Sequence, residues 1–129
     1  MIGDDLGLEQ DTLVIFTSDN GPWNNMPPRM LREGIQRWDA GTTNLLRGSK
    51  ATTFEGGMRV PCIIRWNGSI EKGRISSELT ASLDLFPTFA KLAGADLSAD
   101  HVLDGSDLTG FLLQGEASPR KKHYFFRGD

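Results

Sequence analysis

The sequence predicts an α/β protein with a mainly parallel central sheet. Residues 12–17 form a short, nearly continuous apolar run rich in β-branched and aromatic residues, which is typical of a strand buried on both faces in a helix-covered sheet. A second apolar run at residues 60–64 predicts another strand. A helix is predicted after the second strand, because Asp84 can cap its start, Pro87 suits its first turn and Gly94 suits its end.

Composition narrows the class of protein. A chain of 129 residues has room for one domain. A formal net charge of -3 and the lack of a basic stripe argue against nucleic-acid binding. The only dense basic cluster, Arg120 to Lys122, is interpreted as a solvated turn. No apolar run is long enough to span a bilayer, no signal peptide is evident, and a single cysteine excludes an internal disulfide.

The first strand ends in a polar turn. Ser18, Asp19, Asn20 and Gly21 are small and turn-forming, and Pro22 follows them. A buried strand that ends in Asp and Asn brings two oxygen donors to the carboxyl edge of the sheet, where open α/β sheets bind ligands. Strand alternation would send these two side chains to opposite sides unless the chain turns there. The residues alone leave two interpretations open, a ligand site or a simple turn.

The segment after this turn has little periodicity. Residues 23–45 are predicted to be a long loop, and such loops tend to be functional or disordered. Four of its large side chains are candidates either for lining a pocket or for packing the loop onto the body: Trp23, Met26, Met30 and Trp38.

Further elements are predicted towards the C-terminus. Asn67 and Gly68 predict a turn, and residues 80–83 a short strand. The helix after Asp84 is expected to bury an apolar face made of Leu85, Phe86, Phe89, Leu92 and Ala93. Residues 108–113 predict a short helix that ends near Gly115, and residues 122–127 predict a strand. His101 and His123 are interpreted as surface or packing residues.

Several motifs agree in order with one family. TSDNGP, then LRGSKATTFEGGMRVPCIIRW, SLDLFPTFAKLAG and LDGSDL resemble the arylsulfatase-like sulfatases of the alkaline-phosphatase-like superfamily, from about Leu6 to the end of the chain. The resemblance implies the C-terminal portion of a sulfatase domain, and hence a partial alkaline-phosphatase-like sulfatase fold. Residues 1–95 would end the catalytic α/β core and carry its site loops. Residues 96–129 would begin a small antiparallel C-terminal subdomain.

The resemblance also implies a chemistry. The family hydrolyses sulfate esters and usually depends on calcium, and Asp19 and Asn20 match two ligands of that cation. Lys50 matches the lysine that contacts a sulfate oxygen and stabilises the leaving group, so it is the expected catalytic and substrate-binding residue. Glu55 is expected to orient Lys50 or Arg59, or to form a surface salt bridge.

The nucleophile of the family is absent from this chain. It is a formylglycine made from a Cys-x-Pro/Ala-x-Arg motif, which is expected in the missing N-terminal part. Cys62 does not match, because Ile63, Ile64 and Arg65 follow it, and it is interpreted as a buried strand residue. The isolated chain is therefore expected to be inactive.

Alternative functions remain open at this stage. One is a phosphonate or phosphodiester hydrolase of the same superfamily, and another is a non-catalytic remnant or interaction module. The expected partners are a sulfate ester or sulfated glycan and the missing part of the same fold, with no nucleic acid and no membrane. Members of the family are commonly exported, but the chain itself predicts no compartment.

Overall fold

The computed structural model describes residues 6–98 and 102–126, which divide into two compact units. The first unit comprises residues 6–14, 65–98 and 102–124, and the second comprises residues 15–64 and 125–126. The expected division of the chain after residue 95 stays a prediction.

The two predicted strands are present and pair with each other. Strand β1 (Val14–Thr17) and strand β2 (Cys62–Arg65) form an antiparallel two-stranded sheet. At one end of the pair, the Thr17 hydroxyl donates a hydrogen bond to the Pro61 carbonyl at 3.0 Å. Burial of β1 on both faces, however, was a wrong prediction, because Phe16 is 63% exposed. Ile63 of β2 is likewise 64% exposed, so neither strand is covered on both faces.

The rest of the second unit is mostly irregular. It contains 3₁₀ turns at Pro28–Met30 and Arg37–Ala40 and a single helical turn, α1 (Glu55–Met58). The low content of regular structure in residues 23–45 confirms the predicted loop. Because the second unit has few hydrogen bonds of regular helices or sheets, its structure depends on individual backbone contacts between loops.

The first unit begins with short turns. A 3₁₀ turn at Glu9–Asp11 precedes β1, and the predicted turn at Asn67 and Gly68 is confirmed, with Gly68 at φ +78°. The predicted strand at residues 80–83 is wrong. Ser82–Asp84 is instead a 3₁₀ turn, because the Asp84 carboxylate accepts a hydrogen bond from the Ala81 amide at 2.8 Å and folds the chain back.

Helix α2 (Leu85–Leu92) is confirmed, with Gly94 just past its end at φ +70°. The amide of Gly94 bonds the Lys91 carbonyl and that of Ala95 bonds the Ala90 carbonyl. This pair of bonds is the Schellman motif, which needs a left-handed residue such as glycine.

The buried face of α2 differs from the predicted one. Phe86 is 60% exposed and Phe89 is also exposed, whereas Pro87 and Thr88 are buried. The Thr88 hydroxyl accepts a hydrogen bond from the Leu108 amide at 2.9 Å. This face of α2 therefore packs against the backbone at Leu108. Leu108 and Leu112 are the buried large apolar residues of the described chain.

The C-terminal elements are only partly as predicted. A short π-helix (Gly110–Gln114) occupies much of the predicted helix and ends at Gly115, which has φ +72°. The strand predicted at residues 122–127 is wrong for residues 122–126, which are irregular, and Arg127 lies outside the described residues. In the described residues, no helix is long and apolar enough to cross a membrane.

A buried ion pair holds the first unit together. The Asp84 carboxylate is fully buried and accepts hydrogen bonds from the Ser106 amide at 2.7 Å and from Arg120 Nε at 2.9 Å. The Arg120 side chain is only 9% exposed, and its guanidinium also donates to the Asp104 carbonyl at 2.7 Å. The interpretation of Arg120 as part of a solvated turn is therefore wrong.

Candidate active site

The polar turn after β1 leaves its carboxylate accessible. Asp19 is exposed, and the Ser18 hydroxyl lies 3.5 Å from its Oδ1. The same hydroxyl donates to the Asn20 carbonyl at 2.9 Å, which tightens the turn. The turn interpretation is thus correct as geometry, and it leaves most of the acceptor capacity of Asp19 free for a ligand.

Gly21 joins this turn to the loop that carries Lys50. Its amide donates to the Gly57 carbonyl at 2.9 Å. A Cβ atom added to Gly21 would lie 1.9 Å from the carbonyl oxygen of Gly56. This distance is too short for any side chain to fit without moving the backbone. Glycine is therefore required at position 21 by close approach of two backbones.

Gly56 and Gly57 are required for the same reason. A Cβ on Gly56 would lie 2.4 Å from the Gly48 carbonyl oxygen, and one on Gly57 would lie 2.5 Å from that of Ser49. Neither glycine has a positive φ. Close approach of the backbone therefore requires glycine at both positions.

Backbone bonds also place Lys50 next to the polar turn. The Lys50 amide donates to the Pro22 carbonyl at 2.9 Å, two residues after Asn20. The next residue, Ala51, has φ +71°, a left-handed conformation that is strained for a residue with a Cβ. The loop is closed by the Thr52 hydroxyl, which donates to the Ser49 carbonyl at 2.7 Å.

The Lys50 ammonium lies over an aromatic ring. Its Nζ is 5.4 Å from the centre of the Trp23 ring. Within the described ranges, no carboxylate lies within 4.0 Å of this Nζ. Glu55 instead pairs with Arg59, 3.1 Å away, and both side chains are exposed. Glu55 thus pairs with Arg59 in a surface salt bridge and not with Lys50.

A shallow cavity of about 390 Å³ lies in the same unit. The guanidinium of Arg47 lies 3.9 Å from the centre of the Phe54 ring in its wall. Its lining comprises Asn24, Asn25, Arg47, Gly48, Ser49, Thr52 and Phe54. Sequence reasoning missed this lining, because the residues come from two loops and share no periodic signal. Among the large loop side chains proposed for a pocket, Trp38 is 74% exposed.

Asp19 and Asn20 have the chemistry of a calcium site but do not complete one. Carboxylate and amide oxygens are hard ligands, and calcium takes about six to eight of them. No group of three or more His, Cys, Asp or Glu side chains among the described residues is arranged to hold a metal ion. The two residues therefore fit part of a calcium shell.

Cys62 lies on β2 and is exposed, so the prediction that it is buried is wrong. Partial burial of the thiol raises its pKa, and a hydrogen bond with Thr17 opposes the change. A thiol with a raised pKa is mostly protonated near neutral pH and is a poor nucleophile. Of the two histidines, His101 lies outside the described residues.

Comparisons with known proteins agree on one family. The sulfatase family model matches residues 4–95. The chain is 46% identical over 122 residues to human (Homo sapiens) arylsulfatase A, covering 95% of this chain and 22% of that protein. It is 46% identical over 123 residues to mouse (Mus musculus) steryl-sulfatase, covering 95% of this chain and 18% of the relative. The chain thus spans about a fifth of the length of these relatives.

Solved structures give the same result. The crystal structure of Ps i-CgsB matches with a TM-score of 0.74 and 30% identity, covering 89% of this chain and 23% of that one. PsFucS1 sulfatase from Pseudoalteromonas sp. matches with a TM-score of 0.67 and 37% identity, covering 86% of this chain and 20% of that one. These matches confirm the predicted α/β class and the partial alkaline-phosphatase-like sulfatase fold. The chain belongs to the sulfatase family.

Proposed function

We propose that the full-length protein containing this chain is a calcium-dependent sulfuric ester hydrolase, to which the chain contributes Asp19, Asn20 and Lys50. One observation carries the proposal. The hydrogen bonds from Gly21 to Gly57 and from Lys50 to Pro22 hold the polar turn and the lysine loop together. Two motifs separated by about thirty residues are thereby joined in one compact unit.

Each of the three side chains has a role that suits its chemistry. The Asp19 carboxylate and the Asn20 amide oxygen would hold one calcium ion, with further ligands from outside this chain. The bound calcium would neutralise charge on the sulfate oxygens. The ammonium of Lys50 would donate hydrogen bonds to a sulfate oxygen and to the ester oxygen as the S–O bond breaks, which lowers the barrier.

The nucleophile would come from outside this chain, as a formylglycine. Cys62 lacks the required motif, and partial burial raises the pKa of its thiol. We therefore expect the isolated 129-residue chain to show no turnover of aryl sulfates.

The proposed substrate class is as broad as the substrates that the names of similar proteins indicate. Similar proteins include steryl-sulfatase, arylsulfatase A and N-acetylgalactosamine-6-sulfatase, and Ps i-CgsB has been crystallised with k-i-k-neocarrahexaose. Their names span sterols, aryl groups and sugars. We propose a sulfate ester of a small molecule or a sulfated glycan as the substrate.

The test is the rate of hydrolysis of matched esters by the full-length protein. We expect 4-nitrophenyl sulfate to be hydrolysed faster than a 4-nitrophenyl phosphonate ester. Chelation should abolish the activity, and calcium should restore it. Faster hydrolysis of the phosphonate would favour the alternative hydrolase, and no hydrolysis of either ester would favour a non-catalytic role.

A further inference from the structure

Trp23 follows the polar turn, two residues after Gly21. Lys50 Nζ lies 5.4 Å from the centre of its ring. A lysine ammonium within about 6 Å of a tryptophan ring centre, over its face, is attracted by the negative charge of the π system. Both side chains are half-buried, which limits screening of the attraction by water.

Two hydrogen bonds fix the backbone on either side of this contact. The Pro22 carbonyl, just before Trp23, accepts from the Lys50 amide at 2.9 Å. The Asn25 side chain, two residues after Trp23, accepts from the hydroxyl of Ser49, the buried neighbour of Lys50, at 2.8 Å. The ring and the ammonium are therefore brought together by the loops themselves.

An aromatic partner has a particular consequence for a cation. A carboxylate would neutralise the ammonium and occupy its N–H donors, as Glu55 does for the guanidinium of Arg59. A ring face leaves the positive charge intact and leaves donors free for an oxyanion. For Lys50, no carboxylate within the described part of the chain lies close enough to compete.

We propose that Trp23 is a positioning residue, which holds the Lys50 ammonium over its ring and leaves its N–H donors available to an anionic oxygen. The consequence for catalysis depends on the proposed function, whereas the contact itself does not. The two parts are therefore tested by separate measurements.

The first measurement is the NMR spectrum of the 129-residue chain with ¹³C-labelled lysine. A ring current from Trp23 should shift the ε-methylene protons of Lys50 upfield. Trp23→Leu should return them to the position of an ordinary exposed lysine, and Trp23→Phe should keep part of the shift. Trp38→Leu, which removes an exposed tryptophan from the same loop, is the matched control and should leave the Lys50 signal in place.

If the spectrum shows that Trp23→Leu is folded and the Lys50 signal is unchanged, the proposal is overturned. The upfield shift and its loss would support it whether or not the protein hydrolyses sulfate esters. Failure of the proposed function would appear separately, as absence of turnover in the full-length protein.

The second measurement is a double-mutant cycle in the full-length protein with 4-nitrophenyl sulfate. Trp23→Leu should lower kcat by about 3- to 30-fold, the range that a cation–π contact supports, and Trp23→Phe should restore most of it. In a Lys50→Ala background, Trp23→Leu should have no further effect, because its role acts through the lysine. Equal losses in both backgrounds would show a general structural role and contradict the positioning role.

Discussion

The two compact units each contain an aspartate, and the two carboxylates differ in burial and in hydrogen bonding. Asp84, in the first unit, is fully buried, and its carboxylate is bonded by the amides of Ala81 and Ser106 and by Arg120. Asp19, in the second unit, is exposed, and the Ser18 hydroxyl is 3.5 Å from it. The acceptors of the first carboxylate are used within the fold, whereas most of those of the second are not used by the described residues.

The cations repeat this contrast. The guanidinium of Arg120 is neutralised by a buried carboxylate, while the ammonium of Lys50 lies over an aromatic ring. A structural charged residue thus differs from a candidate functional one in how many hydrogen bonds and ion pairs it makes within the fold, more than in its residue type. Lys50 also lies beside a strained residue, Ala51, which is a common feature of functional loops.

The largest effect is expected on breaking the buried pair. Arg120→Met leaves the Asp84 carboxylate buried without its guanidinium, and breaking such a pair costs about 3–5 kcal/mol in the free energy of unfolding. Urea denaturation of the chain measures this. Glu55→Gln, which breaks the exposed pair with Arg59, is the control and should cost at most about 1 kcal/mol. Equal effects of the two variants would remove the distinction between the units.

A second variant tests the contact that joins the site loops. Gly21→Ala would place a Cβ 1.9 Å from the Gly56 carbonyl oxygen, and overpacking of this kind costs about 1–3 kcal/mol or more. It should also move the NMR signals of Lys50. Gly73→Ala is the control, since that glycine, unlike Gly21, has a positive φ and has no atom within 4 Å of an added Cβ. It should lose stability through backbone strain alone and leave the Lys50 signals in place.

Acid should weaken the first unit through Asp84. Burial alone raises the pKa of this carboxyl, but hydrogen bonds from Arg120, Ser106 and Ala81 outweigh it and hold the pKa below its usual value. Because the folded pKa lies below that of an unfolded aspartate, about 3.9, the added stability is complete above about pH 4. It is lost as the pH falls towards the folded pKa. Urea midpoints measured from pH 6 to pH 3 should fall more steeply for the wild type than for Asp84→Asn.

The smallest effect is expected in the strained loop. Ala51 has φ +71°, and Ala51→Gly relieves a conformation that costs an L-residue about 1–2 kcal/mol. Glycine gives back part of this gain through the greater freedom of the unfolded chain. A rise of a few degrees in Tm is expected, and a fall would show that the left-handed conformation is not strained.

The sequence predicted the site loops better than the packing. Gly21, Gly56 and Gly57 lie in motifs whose close contacts follow from the absence of a Cβ, and β1, β2 and α2 appear where local patterns indicated. Local patterns could not reveal that Asp84 pairs with Arg120, 36 residues away. Instead, Arg120 was grouped with the neighbouring lysines.

Helix α2 shows a second limit of sequence reasoning. Periodicity identified the apolar side chains of Phe86 and Phe89 but could not say whether anything covers them, and both are exposed. The buried position on the same helix is Thr88, whose hydroxyl bonds Asp84 and Leu108. Hydrophobic patterning gives no weight to a polar contact of this kind.

The proposed role of Lys50, to stabilise charge on a sulfate ester, is tested by kcat for 4-nitrophenyl sulfate in the full-length protein. Lys50→Ala should lower kcat by about 100- to 1000-fold, as the loss of a preorganised donor to a developing charge does. Lys72→Ala, at an exposed lysine of the other unit, should leave kcat unchanged. An unchanged kcat in Lys50→Ala, with wild-type stability, would contradict this role of Lys50.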